Sequence, residues 1–371
     1  MHIVQLANFV TPTSGGQRFA LESIGQKYVA RGHQCTLVTP GKRGEVRGEG
    51  LRTYVQVPGI RVPFSGGYRA IVRRKALQKV LLELQPDIIE VSDKTTLAWV
   101  PLWAKAHGIR TVLFSHERVT DVVHERFPSW LPIARIIFPI IQKMKSHVDA
   151  VVCASQYSAD EFTDVADKLL IIPLGVDHDV FYPRDKEVEP TEVPLVLFAG
   201  RMSFEKRPHV AVAAARELAL RGIRAKFVFA GDGPMRQKLQ NMVDGLDVDF
   251  IGRVADRNEL AALMSSADVC IAPSPFETFG LSILESLACG TPVIVANTGA
   301  GVELITGGCG LAVEPTGAMV ADAIMLLLLE SRELVRRRCV QRAREMSWDT
   351  CSEEFLDLYM SLSSRTLGAA A

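Results

Sequence analysis

The sequence predicts an α/β protein built from two Rossmann-like, doubly wound domains that face a central cleft. Its 371 residues are more than one hydrophobic core usually organises. Short β-branched runs alternate with amphipathic stretches of helical period, an order typical of parallel sheets covered by helices. The alternation stops at a charged, proline-rich segment near residues 185–193 and then begins again. This restart indicates a second domain.

Six short apolar runs in the first half of the chain are interpreted as buried strands of a first domain, residues 1–184. The runs are Ile3–Leu6, Cys35–Val38, Ile88–Val91, Thr111–Phe114, Ala150–Cys153 and Leu169–Ile172. The stretches Arg18–Arg31 and Arg69–Leu84 have apolar residues at helical spacing and predict helices between strands. Because crossover helices join parallel strands, this order predicts a parallel sheet.

A second series of six runs is assigned to a domain at residues 194–346. The runs are Leu195–Phe198, Lys226–Ala230, Val248–Ile251, Val269–Ala272, Pro292–Val295 and Gly310–Val313. Residues 185–193 cannot bury much apolar area, so they are predicted to be a linker. The last residues, 347–371, include a stretch of helical period, and we expect this C-terminal helix to cross back to the first domain.

Composition and charge exclude several classes of protein. The 42 basic and 42 acidic residues balance, so no general attraction to nucleic acid is expected. The seven cysteines are scattered without C-x-x-C spacing, which argues against a zinc site and for a reducing compartment. The N-terminus lacks a signal-peptide pattern, and no apolar stretch reaches the roughly 20 residues of a membrane span. We therefore expect a cytoplasmic protein.

The densest cluster of candidate site residues runs from Glu277 to Glu285. It follows a strand of the second series, and a helix is predicted to begin at about Gly280. Backbone N–H groups around Phe279, Gly280 and Leu281 would lack intrahelical acceptors and attract phosphate or sugar oxygens. Most glutamates are solvated, but Glu285 falls in an apolar run, where a carboxylate needs a partner. Two ribose hydroxyls would suit it.

Two cations follow the first strand of the second series. Arg201 and Lys206 have the charge that two phosphates of a nucleotide diphosphate require. Most such side chains are only solvated surface charges. Their position after a strand is compatible with phosphate binding, because ligands of open α/β sheets bind at the carboxyl ends of the strands.

These segments resemble the motifs of the retaining glycosyltransferases of family 4, which have the two-domain GT-B fold. The spacing of Glu277 and Glu285 is similar to the Glu–seven residues–Glu signature of that family. Other resemblances extend over nearly the whole chain. They are the glycine loop Asn8–Gly16, the motif Gly175–Phe181 before the linker, the diphosphate motif Gly200–Lys206 and the turn Gly231–Pro234.

The resemblance implies roles for residues of the second domain. Arg201 and Lys206 would stabilise the departing nucleotide diphosphate, where negative charge develops during sugar transfer. Glu277 would contact the transferred sugar, and Glu285 the ribose. Arg253 resembles the position that meets the nucleobase, with a surface arginine as the alternative.

Residues of the first domain also acquire expected roles from the resemblance. Gly15 and Gly16 would let the backbone approach the donor phosphate, assisted by Arg18. His116 resembles the residue that contacts the transferred sugar; donor positioning is our first hypothesis for it, and general-base catalysis the second. Asp93 is either an acceptor contact or the cap of the next helix.

We predict no obligatory metal ion or other cofactor. The triplets Asp177–Asp179 and Asp247–Asp249 could suggest a metal-dependent transferase. The first lies in the motif before the linker. The second alternates at a strand entry, where solvent-facing side chains are the simpler explanation. Arg201 and Lys206 could remove the need for a metal ion at the diphosphate.

Within the family, the chain most resembles actinobacterial GDP-mannose-dependent α-mannosyltransferases that act on phosphatidylinositol mannosides or related glycolipids. Residues 8–16, 63–70 and 115–118 carry this match. It implies GDP-mannose as the nucleotide-sugar donor and a lipid-linked acceptor. The alternatives are a UDP-sugar-dependent transferase with a soluble acceptor, a phosphorylase or epimerase, and a non-catalytic sugar-binding protein.

The stretch Tyr68–Leu84 is basic and amphipathic. On an anionic membrane surface each of its cations would contribute roughly 1 kcal/mol. The alternative is a solvated helix that packs on the sheet. Together with the apolar segment Trp130–Ile141, the stretch favours a lipid-linked acceptor, and residues 68–84 are the candidate for peripheral contact with the inner face of the cell membrane.

Overall fold

The computed structural model describes residues 1–10, 15–48, 50–62, 67–126, 133–184 and 193–368. The chain forms two compact units. Each unit is an α/β structure around a largely parallel sheet, which confirms the predicted fold class. None of the described helices combines the length and apolarity that crossing a bilayer requires.

The first unit comprises residues 1–173 and the C-terminal residues from 348 onward, and the second comprises residues 174–347. The sequence-based boundary at 184 therefore differs from the division by contacts. Val176 explains part of this difference, because it forms a parallel bridge with Ser347 inside the second unit. The predicted linker, apart from its last residue, lies outside the described residues.

The first unit contains ten strands among its described residues. They are β1 (His2–Leu6), β2 (Gln34–Gly41), β3 (Glu45–Arg47), β4 (Arg52–Pro58), β5 (Ile60–Arg61), β6 (Arg69–Ala70), β7 (Ile88–Val91), β8 (Arg110–Ser115), β9 (Ala150–Cys153) and β10 (Leu169–Ile171). Eight form one sheet in the order β10-β9-β8-β7-β1-β2-β4-β3, parallel except for the β3–β4 pair. The strand order reverses between β1 and β7, and ligands of such sheets bind at the carboxyl ends beside this switch point.

Helices cover this sheet. They are α1 (Gly16–Ala30), α2 (Arg74–Leu84), α3 (Val100–Ala106), α4 (Val119–Arg126), α5 (Ile133–Lys145), α6 (Gln156–Ala159), a 3₁₀ segment at Asp160–Lys168 and the C-terminal helix Trp348–Gly368. The C-terminal helix packs against α1, with the rings of Trp348 and Phe19 5.7 Å apart. Deeper in the unit, the hydroxyls of Tyr28 and Tyr359 both donate to the buried carboxylate of Glu90, at 2.8 and 2.5 Å.

The predicted helix Arg69–Leu84 is wrong at its start. Residues Arg69–Ala70 pair with Ile60–Arg61 as a two-stranded ribbon, and the Ile71 N–H donates to Asn8 Oδ1 at 2.9 Å. The helix therefore begins only at Arg74, because the backbone before it is already committed to other partners. Strands β3 to β6 were not predicted.

The second unit has six strands and seven α-helices among its described residues. The strands are β11 (Leu195–Ala199), β12 (Lys226–Ala230), β13 (Val248–Gly252), β14 (Val269–Ala272), β15 (Val293–Ala296) and β16 (Gly310–Val313). The helices are α7 (Pro208–Leu220), α8 (Arg236–Gln240), α9 (Arg257–Ser266), α10 (Leu281–Ala288), α11 (Gly301–Leu304), α12 (Gly317–Leu329) and α13 (Arg332–Arg344), with 3₁₀ turns at Phe204–Lys206 and Thr306–Gly308. The sheet is fully parallel in the order β13-β12-β11-β14-β15-β16. Its switch point lies between β11 and β14.

All twelve predicted strands are present. Nine of them are short runs buried on both faces or nearly so, and such runs are identifiable because buried parallel strands must be apolar throughout. The other three, β10, β13 and β16, are partly exposed and lie at the edges of the two sheets. In contrast, β4 alternates between buried valines, Val55 and Val57, and half-buried polar neighbours. Its alternation marks a strand near the sheet edge, which carries a weaker sequence signal.

Candidate active site

Two loops meet at the switch point of the second unit. The first, residues 200–207, follows β11 and contains Arg201 and Lys206, whereas the second, residues 273–280, follows β14 and contains Glu277. The Lys206 ammonium forms an ion pair with the Glu277 carboxylate, and these side chains are 35% and 18% exposed. The structure therefore brings together the cation predicted for the diphosphate and the carboxylate predicted for the sugar.

Glycines support the first loop from behind. Gly231 has a φ of +150°, and a Cβ on it would lie 1.9 Å from the carbonyl oxygen of Gly200. A Cβ on Gly233 would lie 2.4 Å from the carbonyl oxygen of Met202. Only glycine permits this approach. The backbone that carries the exposed side chain of Arg201 is thus held against the sheet.

The second loop ends in a helix start with open donors. Gly280 caps α10 with a φ of +102°, and a Cβ on it would lie 2.6 Å from Ile283 Cδ1. Within the described part of the chain, the backbone N–H groups of Phe279, Gly280 and Leu281 donate no hydrogen bond. Such groups at a helix N-terminus attract anions and polar ligand oxygens.

Glu285 lies one turn into α10, with its side chain 9% exposed. Arg257 Nη2, at the start of α9, donates to Glu285 Oε1 at 3.0 Å. Burial raises the pKa of Glu285, and the Arg257 charge offsets part of that rise. The other carboxylate oxygen accepts no hydrogen bond from the described residues, so it can accept one from a ligand.

Arg257 was not among the predicted site residues. Its guanidinium lies 4.7 Å from the ring centroid of Phe181, which is fully buried. Phe181 ends the motif that precedes the linker, so the motif supports Arg257 and, through it, Glu285. The only sequence signal was that a carboxylate in an apolar run needs a partner. Arg253, the predicted residue nearby, is exposed.

The predicted glycine pair lies at the switch point of the first unit. Gly15 is the N-cap of α1, and Gly16 is its first residue. A Cβ on Gly15 would meet no described atom within 4 Å, so the space beside it can admit a ligand. Arg18 follows in the first turn and is partly buried. Residues 11–14, which complete the loop, lie outside the described residues.

Asp93 follows β7 across the same switch point, and its carboxylate is heavily hydrogen-bonded. Asn8 Nδ2 donates to it at 2.9 Å, the Thr95 N–H at 2.8 Å and Thr96 Oγ1 at 2.6 Å. Asp93 is also almost completely buried. Of the two alternatives left open by the sequence, these contacts favour a capping role, although the cap closes the turn at residues 93–96 and not a helix. The acceptor contact stays a prediction.

His116 lies between the end of β8 and the start of α4. Its ring centroid is 4.0 Å from that of Phe114. Burial, and secondarily the charge of Lys94, lowers the pKa of His116 to about 3. The imidazole is therefore neutral at physiological pH, and can donate one hydrogen bond and accept another.

Beneath His116 lies a buried ion pair that was not predicted. Lys94 is 2% exposed and pairs at 2.5 Å with Glu161. The same ammonium donates to Ser115 Oγ at 3.0 Å and to the Glu117 carbonyl. Lys94 and Glu161 gave no sequence signal, because only the fold brings the ends of three neighbouring strands together.

Over the described ranges, no three His, Cys, Asp or Glu side chains are grouped so that they could hold a metal ion. In the two predicted Asp-x-Asp triplets, Asp249 pairs with Lys226 at 2.9 Å, and Asp177 accepts the Asp179 N–H at 3.1 Å. Independence from a metal ion stays a prediction.

Comparison with known proteins gives matches to both units. The family model described as "Glycosyltransferase Family 4" matches residues 14–180, and the model "Glycosyl transferases group 1" matches residues 183–346. A GDP-mannose-dependent alpha-(1-6)-phosphatidylinositol dimannoside mannosyltransferase of Mycobacterium tuberculosis is 38% identical over 383 residues, covering 100% of this chain and 97% of that protein. A GDP-mannose-dependent alpha-mannosyltransferase of Corynebacterium glutamicum is 28% identical, covering 83% of this chain and 75% of that protein.

Solved structures agree on the fold. A sucrose-phosphate synthase from Thermosynechococcus elongatus superposes with a TM-score of 0.80 at 21% identity, covering 100% of both chains. The lipopolysaccharide glycosyltransferase WaaG superposes with a TM-score of 0.72 at 18% identity, covering 96% of this chain and 99% of that one. With the full-length relative and the two family models, these matches lead to one conclusion: the chain belongs to glycosyltransferase family 4, and it is a hexosyltransferase with the GT-B fold.

Proposed function

We propose that this enzyme transfers mannose from GDP-mannose, with retention of anomeric configuration, to a hydroxyl of a lipid-linked acceptor such as a phosphatidylinositol mannoside. The observation that carries the proposal is the 38% identity, over the whole chain, to a GDP-mannose-dependent phosphatidylinositol dimannoside mannosyltransferase. A match through both units supports a shared donor and a related acceptor more strongly than a match of one domain would.

Donor binding rests first on the two loops of the second unit. In the proposed complex, Arg201 and Lys206 contact the diphosphate, and the open N–H groups before α10 contact phosphate or sugar oxygens. Glu277, at present paired with Lys206, accepts hydroxyls of the transferred sugar. Cations directed at the departing diphosphate stabilise the charge that develops there, which lowers the barrier to transfer.

Glu285 is proposed to bind the ribose through the oxygen that Arg257 leaves open. A carboxylate with one fixed oxygen is held in orientation and still has an acceptor for a hydroxyl. Gly15 and Gly16 are proposed to approach the donor phosphate in the first unit, with Arg18 beside them. Arg253, which is exposed, stays the candidate for the nucleobase.

His116 is proposed to orient the transferred sugar as a neutral imidazole. With a pKa of about 3, it is a weak proton acceptor, which makes general-base catalysis the less suitable role. None of the predicted carboxylates is assigned as a sugar nucleophile. We therefore propose a same-face path in which the leaving diphosphate assists the incoming hydroxyl.

Two surfaces of the first unit support peripheral contact with an anionic membrane at the inner face of the cell membrane. Residues Arg73, Arg74 and Lys75 are exposed at the start of α2. On α5, Ile136 is 63% exposed and Phe138 38%. Interfacial helices combine exposed cations with exposed apolar side chains. An acceptor embedded in lipid would then be reached without extraction.

The alternative is a UDP-sugar-dependent transferase with a soluble acceptor. A thermal-shift screen of GDP, UDP and ADP, followed by transfer assays with GDP-mannose and phosphatidylinositol mannosides, distinguishes the two. Of the three nucleotides, we expect only GDP to raise the melting temperature. We also expect mannose to be transferred to the lipid. Stabilisation by UDP only, or transfer only to soluble acceptors, would contradict the proposal.

A further inference from the structure

The buried pair Lys94–Glu161 ties together the carboxyl ends of three neighbouring strands. Lys94 lies after β7, Glu161 lies after β9, and the loop that carries His116 follows β8 between them. Lys94 Nζ donates to Ser115 Oγ and to the carbonyl of Glu117, the residues on either side of His116. The ammonium thus holds the His116 loop from both flanks.

The second carboxylate oxygen of Glu161 completes the arrangement. Oε1 accepts the N–H groups of Val119 and Thr120 at 2.8 and 3.2 Å, and these are the first donors of α4. Residues on both sides of His116 are therefore anchored to one ion pair. Since three protein acceptors already engage Lys94, its ammonium has no donor left for a substrate.

Stability alone does not explain such a pair. Lys94 is 2% and Glu161 9% exposed, and removing two charges from water costs several kcal/mol that their attraction only partly returns. A hydrophobic pair of similar volume is often equally stable or more so. What an apolar pair cannot provide is a set of directed hydrogen bonds to the loop at 115–117.

We infer that Lys94 and Glu161 are positioning residues for sugar transfer, which hold the His116 imidazole in the orientation that contacts the transferred sugar. The inference rests on the proposed function in one respect, namely that His116 contacts the transferred sugar. The positive charge of Lys94 also contributes to the lowered pKa of His116, which keeps the imidazole neutral. Displacement of a positioning group by about 1 Å can cost roughly 100-fold in rate.

The chain offers a matched control in a second buried lysine. Lys145 is 4% exposed and pairs with Asp164 at 2.8 Å. Its ammonium lies 4.7 Å from the ring centroid of Phe162, and that of Lys94 lies 5.1 Å from the same ring. The Lys145 ammonium also donates to the backbone carbonyl of Glu161 at 2.7 Å. In the described part of the chain, however, no contact joins Lys145 to the Glu161 carboxylate or to residues 115–117.

The test compares Lys94→Met/Glu161→Gln with Lys145→Met/Asp164→Asn in the full-length protein. The glutamine keeps an acceptor for the start of α4, so the first variant removes the charges without opening the helix cap. We expect its kcat to fall by about 10- to 100-fold, while the Kd for GDP changes by less than about twofold. The control pair is expected to keep kcat within about twofold. An equal loss of kcat in both would overturn the inference.

A double-mutant cycle with His116→Ala separates positioning from a general structural effect. If Lys94 and Glu161 act through His116, then their replacement causes no further loss of kcat in the His116→Ala background. If the loss of kcat in the combined variant is the product of the two separate losses, Lys94 and Glu161 do not act through His116. Should His116→Ala leave transfer unchanged, the proposed role of His116 itself fails.

The NMR signals of the His116 ring provide a readout that does not depend on turnover. They are expected to shift in the Lys94→Met/Glu161→Gln variant but not in the control pair. Unchanged ring signals would show that the ion pair does not position His116, whatever the fate of the transfer assay. Failure of the inference and failure of the proposed function are thereby distinguishable.

Discussion

Lys206 and Glu277 come from loops after different strands, and their ion pair links the two polar segments of the second unit. A partly exposed ion pair contributes little to folding, which is compatible with the ligand-binding role proposed for Lys206 and Glu277. Glu285 differs from ordinary surface glutamates in its burial. Its carboxylate is buried against Arg257, and this pairing offsets part of the cost of removing the charge from water.

Replacement of Lys206 by alanine tests the leaving-group role. We expect kcat to fall by about 100- to 1,000-fold, because one positioned donor to developing charge contributes that much. The melting temperature should change little. Lys226→Ala is the matched control, since Lys226 forms an exposed pair with Asp249 in the same unit. Wild-type turnover in Lys206→Ala, measured with saturating donor, would argue against the role.

Glu285→Gln is expected to weaken GDP binding and at the same time to stabilise the folded protein at high pH. Burial raises the pKa of Glu285 in the folded protein, so the folded state binds the proton more tightly than the unfolded state does. Stability therefore falls as the pH rises from the ordinary glutamate pKa through the raised one. At pH 8 the neutral glutamine should raise the melting temperature and weaken GDP binding. Calorimetry and thermal unfolding measure the two effects, and tighter GDP binding would contradict the ribose assignment.

At the scale of the element, α2 and the C-terminal helix differ in what holds them. Helix α2 has only Leu77 and Leu81 fully buried, and its exposed cations at the start face solvent. The C-terminal helix instead inserts Tyr359 beside Glu90 in the interior of the first unit. The first is suited to a surface contact, and the second to holding the chain end in place.

Neutralisation of the α2 cations tests membrane contact. We expect Arg73→Gln/Arg74→Gln/Lys75→Gln to reduce binding to phosphatidylglycerol vesicles, because each cation contributes roughly 1 kcal/mol near an anionic surface. Vesicle sedimentation measures the effect. The control triple carries the same change of charge on α13 at Arg332, Arg337 and Arg344, which are exposed. Equal loss in both triples would indicate general attraction and not a contact through α2.

The attachment of the C-terminal helix is tested by Tyr359→Phe. The substitution removes a hydrogen bond to a buried carboxyl group, which typically costs about 1–3 kcal/mol. A melting temperature lower by several degrees is expected in thermal unfolding. Met360→Leu, a change at the exposed neighbour, should have almost no effect. An unchanged melting temperature of the Tyr359→Phe protein would mean that Glu90 accepts a hydrogen bond from another donor.

At the scale of the whole molecule, both units bury their thiols. All seven cysteines are free and buried, and burial raises the pKa of Cys35, Cys153 and Cys270 to about 12. Buried thiols with raised pKa values react slowly. We expect a thiol reagent such as DTNB to label none rapidly in the native protein and all seven in denaturant. Fast labelling of a single cysteine would reveal local opening.

The sequence by itself determined the fold class, the twelve apolar strands and the motif residues at their carboxyl ends. Local periodicity encodes these features, because a strand buried on both faces must be apolar and a loop that binds phosphate needs glycine or cations. Strand β4 beside the edge strand β3, the ribbon before α2 and the start of α2 at Arg74 were not predicted from the sequence. In β4, buried residues alternate with half-buried polar residues, and each strand of the ribbon has only two residues, whereas the Asn8 side chain that accepts the Ile71 N–H lies 63 residues earlier.

Only the tertiary structure decided which polar groups support the predicted site. Arg257 beneath Glu285, and Lys94 with Glu161 beneath His116, come from separate strand ends that the parallel sheets bring together. Each is an isolated charge in the sequence, where a solvated surface residue is the default expectation. Burial reverses that expectation, since a charge removed from water must find its partner in three dimensions and not along the chain.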